Sequence, residues 1–510
     1  MKLRRNVTLT LGLRHEYKGI PSDDKLQELN SVSSVPGVLE FRAPKAQKTN
    51  FAPRVGLTWS PGTSGRTVFR MGAGIAYDNW FDNLGTLSKP PQLETTAHVE
   101  PNDEPNFLAK GGIPPTAPSD TLSPEVARAI TGTFIPDQRL PVSYQWTFGI
   151  ERVLAKDYTV NVRYLGTRGS RLIVQQRLNS RAVVTPTRSL PTFLQRPSQA
   201  ELDGLRLTLN ELVAEFNAGG FFVQRFLDAG FENLITVFDS VGNSTYHGLQ
   251  TEFQRRFSHG LLFKAAYTWS KNIDDSTADL FSTLLSPRRP QDFQDLRPER
   301  SRSFLDRTHR FSYTWVYEAP WLKGSSNWLA KNMVGNWIVS GTYIAESPQY
   351  ASVQSGLDSN MNIDSAPDRT IINPAGTDRT GSDVTALRNS AGAIVGYLAL
   401  DPNARYIKAG RGAYPNGGRQ TLPLRGINNW DLGVTKRFSI TESKAVEFRG
   451  TFVNAFNHPQ YIPGSLNTVQ AVSTNETRNH LIPGNPLFND PSRVYASNAR
   501  EIHLALRITF

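Results

Sequence analysis

The nearest thing to a ligand set in this chain is Asp358, Asn360, Asn362 and Asp364, four oxygen-bearing side chains on alternate positions. Such alternation lines calcium loops. An EF-hand loop also needs glycine at its sixth position and an acid at its twelfth, where Ile363 and Arg369 stand instead. Two readings follow: a loop ordered by calcium, or, by default, a polar surface loop. Asp274, Asp275 and Asp279 form a second acidic patch with the same two readings. The eight histidines are dispersed, without a metalloprotease spacing. His247, His309, His458 and His503 each fall near a strand, where packing or hydrogen bonding on the polar face is expected. With no cysteine, disulfides and thiolate chemistry are excluded. There is no Gly-x-Ser-x-Gly elbow. Gly72 and Gly74 resemble half of a phosphate loop, but no helical pattern follows. They are expected to be glycines that another part of the chain approaches closely. No catalytic residue and no cofactor site emerges, and the chain is not expected to be an enzyme.

The elements that carry these residues are strands. In the last ten residues, Ile502, Leu504, Leu506, Ile508 and Phe510 share one parity. Glu501, His503, Ala505, Arg507 and Thr509 share the other. A strand sends successive side chains to opposite faces, so this segment has one greasy and one wet face. The pattern recurs: Val7, Leu9, Leu11 and Leu13 against Thr8, Thr10 and Arg14; Tyr144, Trp146, Phe148 and Ile150 against Gln145, Thr147 and Glu151. Phe311, Tyr313, Trp315 and Tyr317 alternate likewise with Arg310, Ser312, Thr314 and Glu318. About twelve such segments of roughly ten residues can be read, the length that crosses a bilayer when tilted. Trp59, Trp146, Trp269, Trp315, Trp337 and Trp430 all sit on the greasy parity. Tryptophan collects at membrane interfaces because its ring is apolar and its edge is not.

The connections alternate as well. Ser60 to Arg66, Ala155 to Asp157, Ser258 to Gly260 and Ser439 to Ser443 are short, and Ala319 to Gly335 is moderate. The others, such as Gly166 to Asn243 and Gln349 to Arg425, are long. Short turns on one side and long loops on the other are the layout of an outer-membrane barrel. The predicted fold is therefore all-β, an antiparallel transmembrane β-barrel with long extracellular loops and little helix. One helix is expected from Ser198 to Phe216, where Leu205, Leu209, Leu212, Val213 and Phe216 follow helical spacing. It either packs on its own loop or forms a lid over the mouth.

The formal charge of +11 is scattered, without a basic helix or cluster, so nucleic acid is not an expected partner. No apolar run approaches the length of a transmembrane helix. Met1 to Arg5 lead straight into a strand, without the apolar core of a signal peptide. The expectation is a chain that lacks its amino-terminal part.

Several segments resemble the TonB-dependent receptors of the Oar-like class. They are FAPRVGLTWSP with GRTVFRMGAGIAYD (Phe51 to Asp78), Ser143 to Leu172, Ser244 to Asp275, Asp306 to Pro320, and Val446 to Tyr461, in the family's order. The resemblance implies one barrel domain over residues 1–510, the carboxyl-terminal half of a barrel that has twenty-two strands in full-length members. Plug, TonB-contacting segment and signal peptide are not found in it. The partners so implied are outer-membrane lipid, the barrel assembly machinery, and the missing plug and barrel half, with TonB reached only through the missing part. The terminal parity Ile502, Leu504, Leu506, Ile508 and Phe510 resembles the assembly signal of such barrels. The expected function is uptake or binding of a large nutrient whose identity the strands do not specify. The alternatives are a passive porin, a structural or adhesive outer-membrane protein, and a soluble β-rich lectin or enzyme.

Overall fold

The computed structural model describes residues 1–510 except 20–29, 79–105, 107, 110, 113–122, 138, 276–288, 323, 365–367, 442, 462–477, 495 and 496. Twelve strands form one antiparallel sheet in chain order. The first six are β1 (Val7–Lys18), β2 (Gln47–Trp59), β3 (Thr67–Tyr77), β4 (Val142–Ala155), β5 (Tyr158–Arg177) and β6 (Thr236–Ser258). The rest are β7 (Leu261–Asp274), β8 (His309–Glu318), β9 (Trp337–Glu346), β10 (Ile427–Ser439), β11 (Ala445–Val453) and β12 (Glu501–Thr509). A short strand, Lys2–Arg4, folds back on the start of β1. The path ends there on one side and at β12 on the other, and among the described residues the sheet does not close.

The predicted strand number and parities hold. Val7, Leu9, Leu11 and Leu13 pair with Trp59, Leu57, Val55 and Pro53, so the greasy parity of each strand meets that of the next. Stacked rings reinforce it: Trp59 on Phe69 at 5.1 Å, and Tyr343 on Trp430 at 4.3 Å. The short turns fall where expected. At the tip between β6 and β7, His259 and Gly260 both have positive φ, 51° and 79°, which suits the twist of a tight hairpin.

Three expectations need correction. The β5–β6 ladder does not stop at Gly166 and Asn243 but continues to Arg177 paired with Thr236. Its outer part, around Ile173, Val174, Val237 and Phe238, is buried on both faces, with Leu140 and Tyr77 packed against it. Strands covered on both sides lose the alternation that marks the wall. β11 ends at Val453, because Asn454 turns to φ 47° before Phe456 is reached. The helix expected over Ser198 to Phe216 is two: α1 (Gln199–Gly204) and α2 (Leu209–Asn217). Each begins with its own capping box, Ser198 with Glu201 and Thr208 with Glu211, so the second box restarts the helix after a break.

Burial is inverted relative to a soluble domain. Leu11, Leu13, Trp269, Leu504 and Leu506 in the wall are exposed, whereas apolar residues of the loops are buried. A contiguous exposed apolar band marks a surface that water does not cover.

Candidate functional site

The buried core lies in a head to which all six long loops contribute: Leu39 and Phe41 of the β1–β2 loop and Phe134 of the β3–β4 loop pack with Phe226 and Phe231 of the β5–β6 loop. Leu190 and Leu212 from the β5–β6 loop pack against Met361, Tyr397, Ala409 and Ala413 from the β9–β10 loop. The helices are thus covered not by their own loop alone but also by the β9–β10 loop. Within the β9–β10 loop, Val384–Arg388 pairs with Ile394–Ala399, which takes Thr192–Phe193 of the β5–β6 loop as a parallel neighbour. Leu481 of the β11–β12 loop is buried with Val353 and Leu422.

Buried ion pairs bind the loops together. Arg369 meets both carboxylate oxygens of Glu299, at 2.9 and 2.8 Å, and its Nε donates to the Gly417 carbonyl at 2.7 Å. Arg289 meets Asp364 at 2.5 Å. Arg419 meets Asp274, which fastens the head to the end of β7. Removing one partner of such a pair strands the other charge in a dry place.

The proposed calcium residues are brought together inside this head, but their oxygens are engaged. Asp358 accepts from the amides of Asn362 and Ile363 at 3.1 and 3.0 Å. Asn360 and Asn362 both donate to the Gln291 carbonyl at 2.9 Å, and Asp364 faces Arg289. Burial raises the Asp358 carboxyl above its ordinary value. Burial pushes Asp368 well above the usual range, and repulsion from Asp358 adds to it. Among the described residues no group of three or more His, Cys, Asp or Glu side chains could hold a metal ion. Of the second acidic patch, Asp274 pairs with Arg419 and Asp275 accepts from the Asn243 amide at 2.5 Å, while Asp279 lies outside the described residues.

The wet face of the wall is polar and paired. Arg70 meets Glu151 at 3.4 Å, Lys264 meets Glu252 at 2.7 Å, and Arg310 meets Glu346 at 2.8 Å. Arg70, Thr147, Gly149, Glu151, Asn161 and Arg163 line a hollow of about 170 Å³ there. Gly72 and Gly74 face Thr147 and the stem of Arg54, at 3.3 and 3.1 Å from where a Cβ would stand. It is neighbouring side chains that fill the space over these glycines.

His247 and His309 are not on the wet face. They share the parity of Leu249 and Phe311, and their Nδ1 atoms bond the Tyr164 and Tyr267 hydroxyls at 2.7 and 2.8 Å. With Trp146 against His247, they belong to an aromatic belt at the long-loop end of the lipid-facing side. A polar tip on an apolar body suits a membrane interface, and counting parity along β6 and β8 would have placed both. His503 does lie on the wet parity, 3.3 Å from Glu501, and His458 contacts Gln460 at 3.0 Å. Lys436, buried on the lipid-facing parity, was missed altogether. The terminal residues Ile502, Leu504, Leu506, Ile508 and Phe510 all stand exposed, Phe510 at 94%. Among the described residues β12 pairs only with β11.

An exposed apolar band on a twelve-stranded antiparallel sheet, with loops of unequal length at its two ends, defines a membrane-spanning barrel wall. The family described as outer membrane beta barrel domain matches residues 1–480, and the chain belongs to it. Its place is the outer membrane. No curated protein matches. Among solved structures, the chain is similar to the outer membrane transporter YddB from Escherichia coli, with 10% identity, a TM-score of 0.41, and cover of 99% of this chain and 43% of that one. It is also similar to the FrpB iron transporter from Neisseria meningitidis, with 12% identity, a TM-score of 0.40, and cover of 99% and 44%. A third is the siderophore receptor PiuA from Acinetobacter baumannii, with 9% identity, a TM-score of 0.39, and cover of 100% and 42%. The chain spans less than half the length of each.

Proposed function

We propose that this chain is part of the barrel wall of a TonB-dependent receptor of the Oar-like class, whose loop-built head takes a large nutrient at the cell surface. The observation that carries the reading is the open sheet. A twelve-stranded passive pore would pair its first and last strands, and here β1 and β12 remain apart. Unpaired backbone groups in hydrocarbon cost several kcal/mol each, so the edges need further strands. The segments that resemble that class, such as Phe51 to Asp78, fall largely on strands of the wall. A plug, and TonB acting through it, would gate the wider lumen such strands enclose. We further read Phe510 with Ile502, Leu504, Leu506 and Ile508 as the signal that the barrel assembly machinery takes up.

Because the chain has no cysteine, disulfide trapping tests the reading directly. Leu9→Cys and Leu504→Cys, introduced together, would lie on adjoining edges of a closed twelve-stranded pore. In outer membranes the expected result is no bond within the chain. An efficient internal disulfide would replace the receptor reading with that of a passive porin.

A further inference from the structure

The link between β8 and β9, residues 319–336, turns its side chains the wrong way for a water-facing protein surface. It runs at the short-turn end of the wall and contains the helix Trp328–Met333. Asn332, the amide of that helix, is 1% exposed and faces inward. Its Nδ2 donates to the Ser439 carbonyl at 3.1 Å, and its Oδ1 accepts from the Ser439 amide at 2.8 Å. The Trp328 indole donates to the same carbonyl at 3.0 Å, so the helix is pinned to the end of β10. The outward positions are apolar: Leu329 is 62% exposed and Met333 64%, with Val334, Trp321 and Leu322 exposed beside them. A helix on a soluble surface does the reverse, burying its leucines and turning its amides to water.

Lys436 shows on which side of the wall this link lies. It pairs with Trp337 in the ladder and shares the parity of Trp430 and Val434, the lipid-facing one. Its ammonium is buried under the end of the helix and donates to the carbonyls of Met333, at 3.1 Å, and Gly335. The Trp337 ring lies 4.6 Å away. Trp321 meets Tyr317, also on the lipid-facing parity, with centroids 6.4 Å apart. The link therefore covers the outside of the wall, and its apolar face continues the face that meets lipid.

We propose that this link is an interfacial membrane anchor. The helix lies in the bilayer plane at the short-turn end, with Leu329 and Met333 in the boundary between headgroups and acyl chains. The occupant of its outer face is lipid of that leaflet. An in-plane helix is held by buried apolar area, and flanking tryptophans prefer that depth. The anchor also roofs Lys436, which would otherwise present a bare ammonium to hydrocarbon.

The missing cysteines make the test clean. Leu329→Cys, Met333→Cys or Ser443→Cys, each carrying one environment-sensitive fluorophore, is placed in the full chain. Ser443 is exposed in the turn between β10 and β11 and serves as the aqueous marker. The protein is folded into phosphatidylcholine–phosphatidylglycerol vesicles, and the membrane-inserted fraction is collected by flotation. Two quenchers are compared: iodide in the water, and a lipid with its nitroxide near the headgroup. Labels at 329 and 333 are expected to be quenched by the lipid and shielded several-fold from iodide relative to 443. Iodide access equal to that at 443 would overturn the proposal in favour of an aqueous face. Shielding from both quenchers would overturn it too, by showing that a second copy or another protein covers the face.

Discussion

Arg369→Met should open the head. Its guanidinium holds Glu299 through two charge-assisted bonds, with the two side chains 6% and 2% exposed. In the variant Glu299 keeps only the Gln291 amide, at 3.0 Å, for a charge with almost no water. The Gly417 carbonyl loses its Nε donor as well. Stranding a buried charge in this way costs about 3–5 kcal/mol. At about 1.4 kcal/mol per factor of ten, head amides should exchange hydrogen roughly a hundredfold to a few thousandfold faster. Suitable reporters are Gln354, bonded to the Leu481 carbonyl, and Lys408, bonded to that of Ser382, while the Tyr343 ladder in the wall serves as reference. Arg369→Met combined with Glu299→Gln removes the stranded charge and keeps an acceptor for Gln291. The double variant should therefore recover most of the loss, to within about 1–2 kcal/mol of the parent. A single-variant loss under about 1 kcal/mol, or a double variant no better than the single one, would refute the buried-pair argument.

The remaining predictions concern both faces of the wall, its terminus and the acids of the head. Arginine at Leu11 or Val339 should cost up to about 2–4 kcal/mol, rising towards the bilayer midplane, and less at Trp146 in the interfacial belt, while arginine at Thr10, Thr147 or Ser340 should cost less still; equal losses on both faces in unfolding or heat-modified gel mobility would contradict the assigned faces. Deleting Phe510 should lower the outer-membrane yield on fractionation, and an unchanged yield would end its role as assembly signal. Gly166→Ala should displace the Trp146 ring, since a Cβ there would stand 2.1 Å from it, and destabilise the wall by about 1–3 kcal/mol; an unshifted tryptophan emission would count against this. Burial raises the folded pKa of Asp368 well above its ordinary value, so the folded head favours its protonated form. Stability from this group is complete below that ordinary value and is lost as pH rises through the raised one. Lowering the pH from neutral towards the ordinary carboxylate range should then increase protection of the head amides, once intrinsic exchange is corrected. Asp368→Asn should reduce that gain to the part that Asp358 contributes, and a loss of protection in the parent would contradict the sign.

The wall could be read from the sequence because lipid on one face and polar groups on the other impose a strict two-residue period. Leu11, Trp146 and Phe448 follow it without exception, and so did the strand order. The head could not be read, because its sheets are built from strands such as Thr192–Phe193 and Ile371–Ile372, too short to carry a period. Their stability comes from partners far along the chain. Met361 is unremarkable in its own segment, and the cluster that buries it takes Leu190 and Leu212 from another loop. The outer part of the β5–β6 hairpin was lost for a related reason: covered on both faces, LIVQQR does not alternate. At His247, His309 and Lys436 residue polarity and strand parity point to opposite faces, and the ladder follows parity. Each of them satisfies its polar tip locally, through Tyr164, Tyr267 and the carbonyl of Met333.

The head has a consequence for how such a chain can be inherited. Its pairs join residues far apart: Arg369 and Glu299 are 70 positions apart in sequence, and Arg419 and Asp274 are 145. Each pair has one member in the β9–β10 loop and the other in or beside the β7–β8 loop. Recombination that replaces a single loop would deliver half of each pair and leave the other half stranded. Surface loops usually diverge freely, but these can change only as a linked set. The natural unit of exchange is then the block from β7 to β10, about a third of the chain, carried over with its partners.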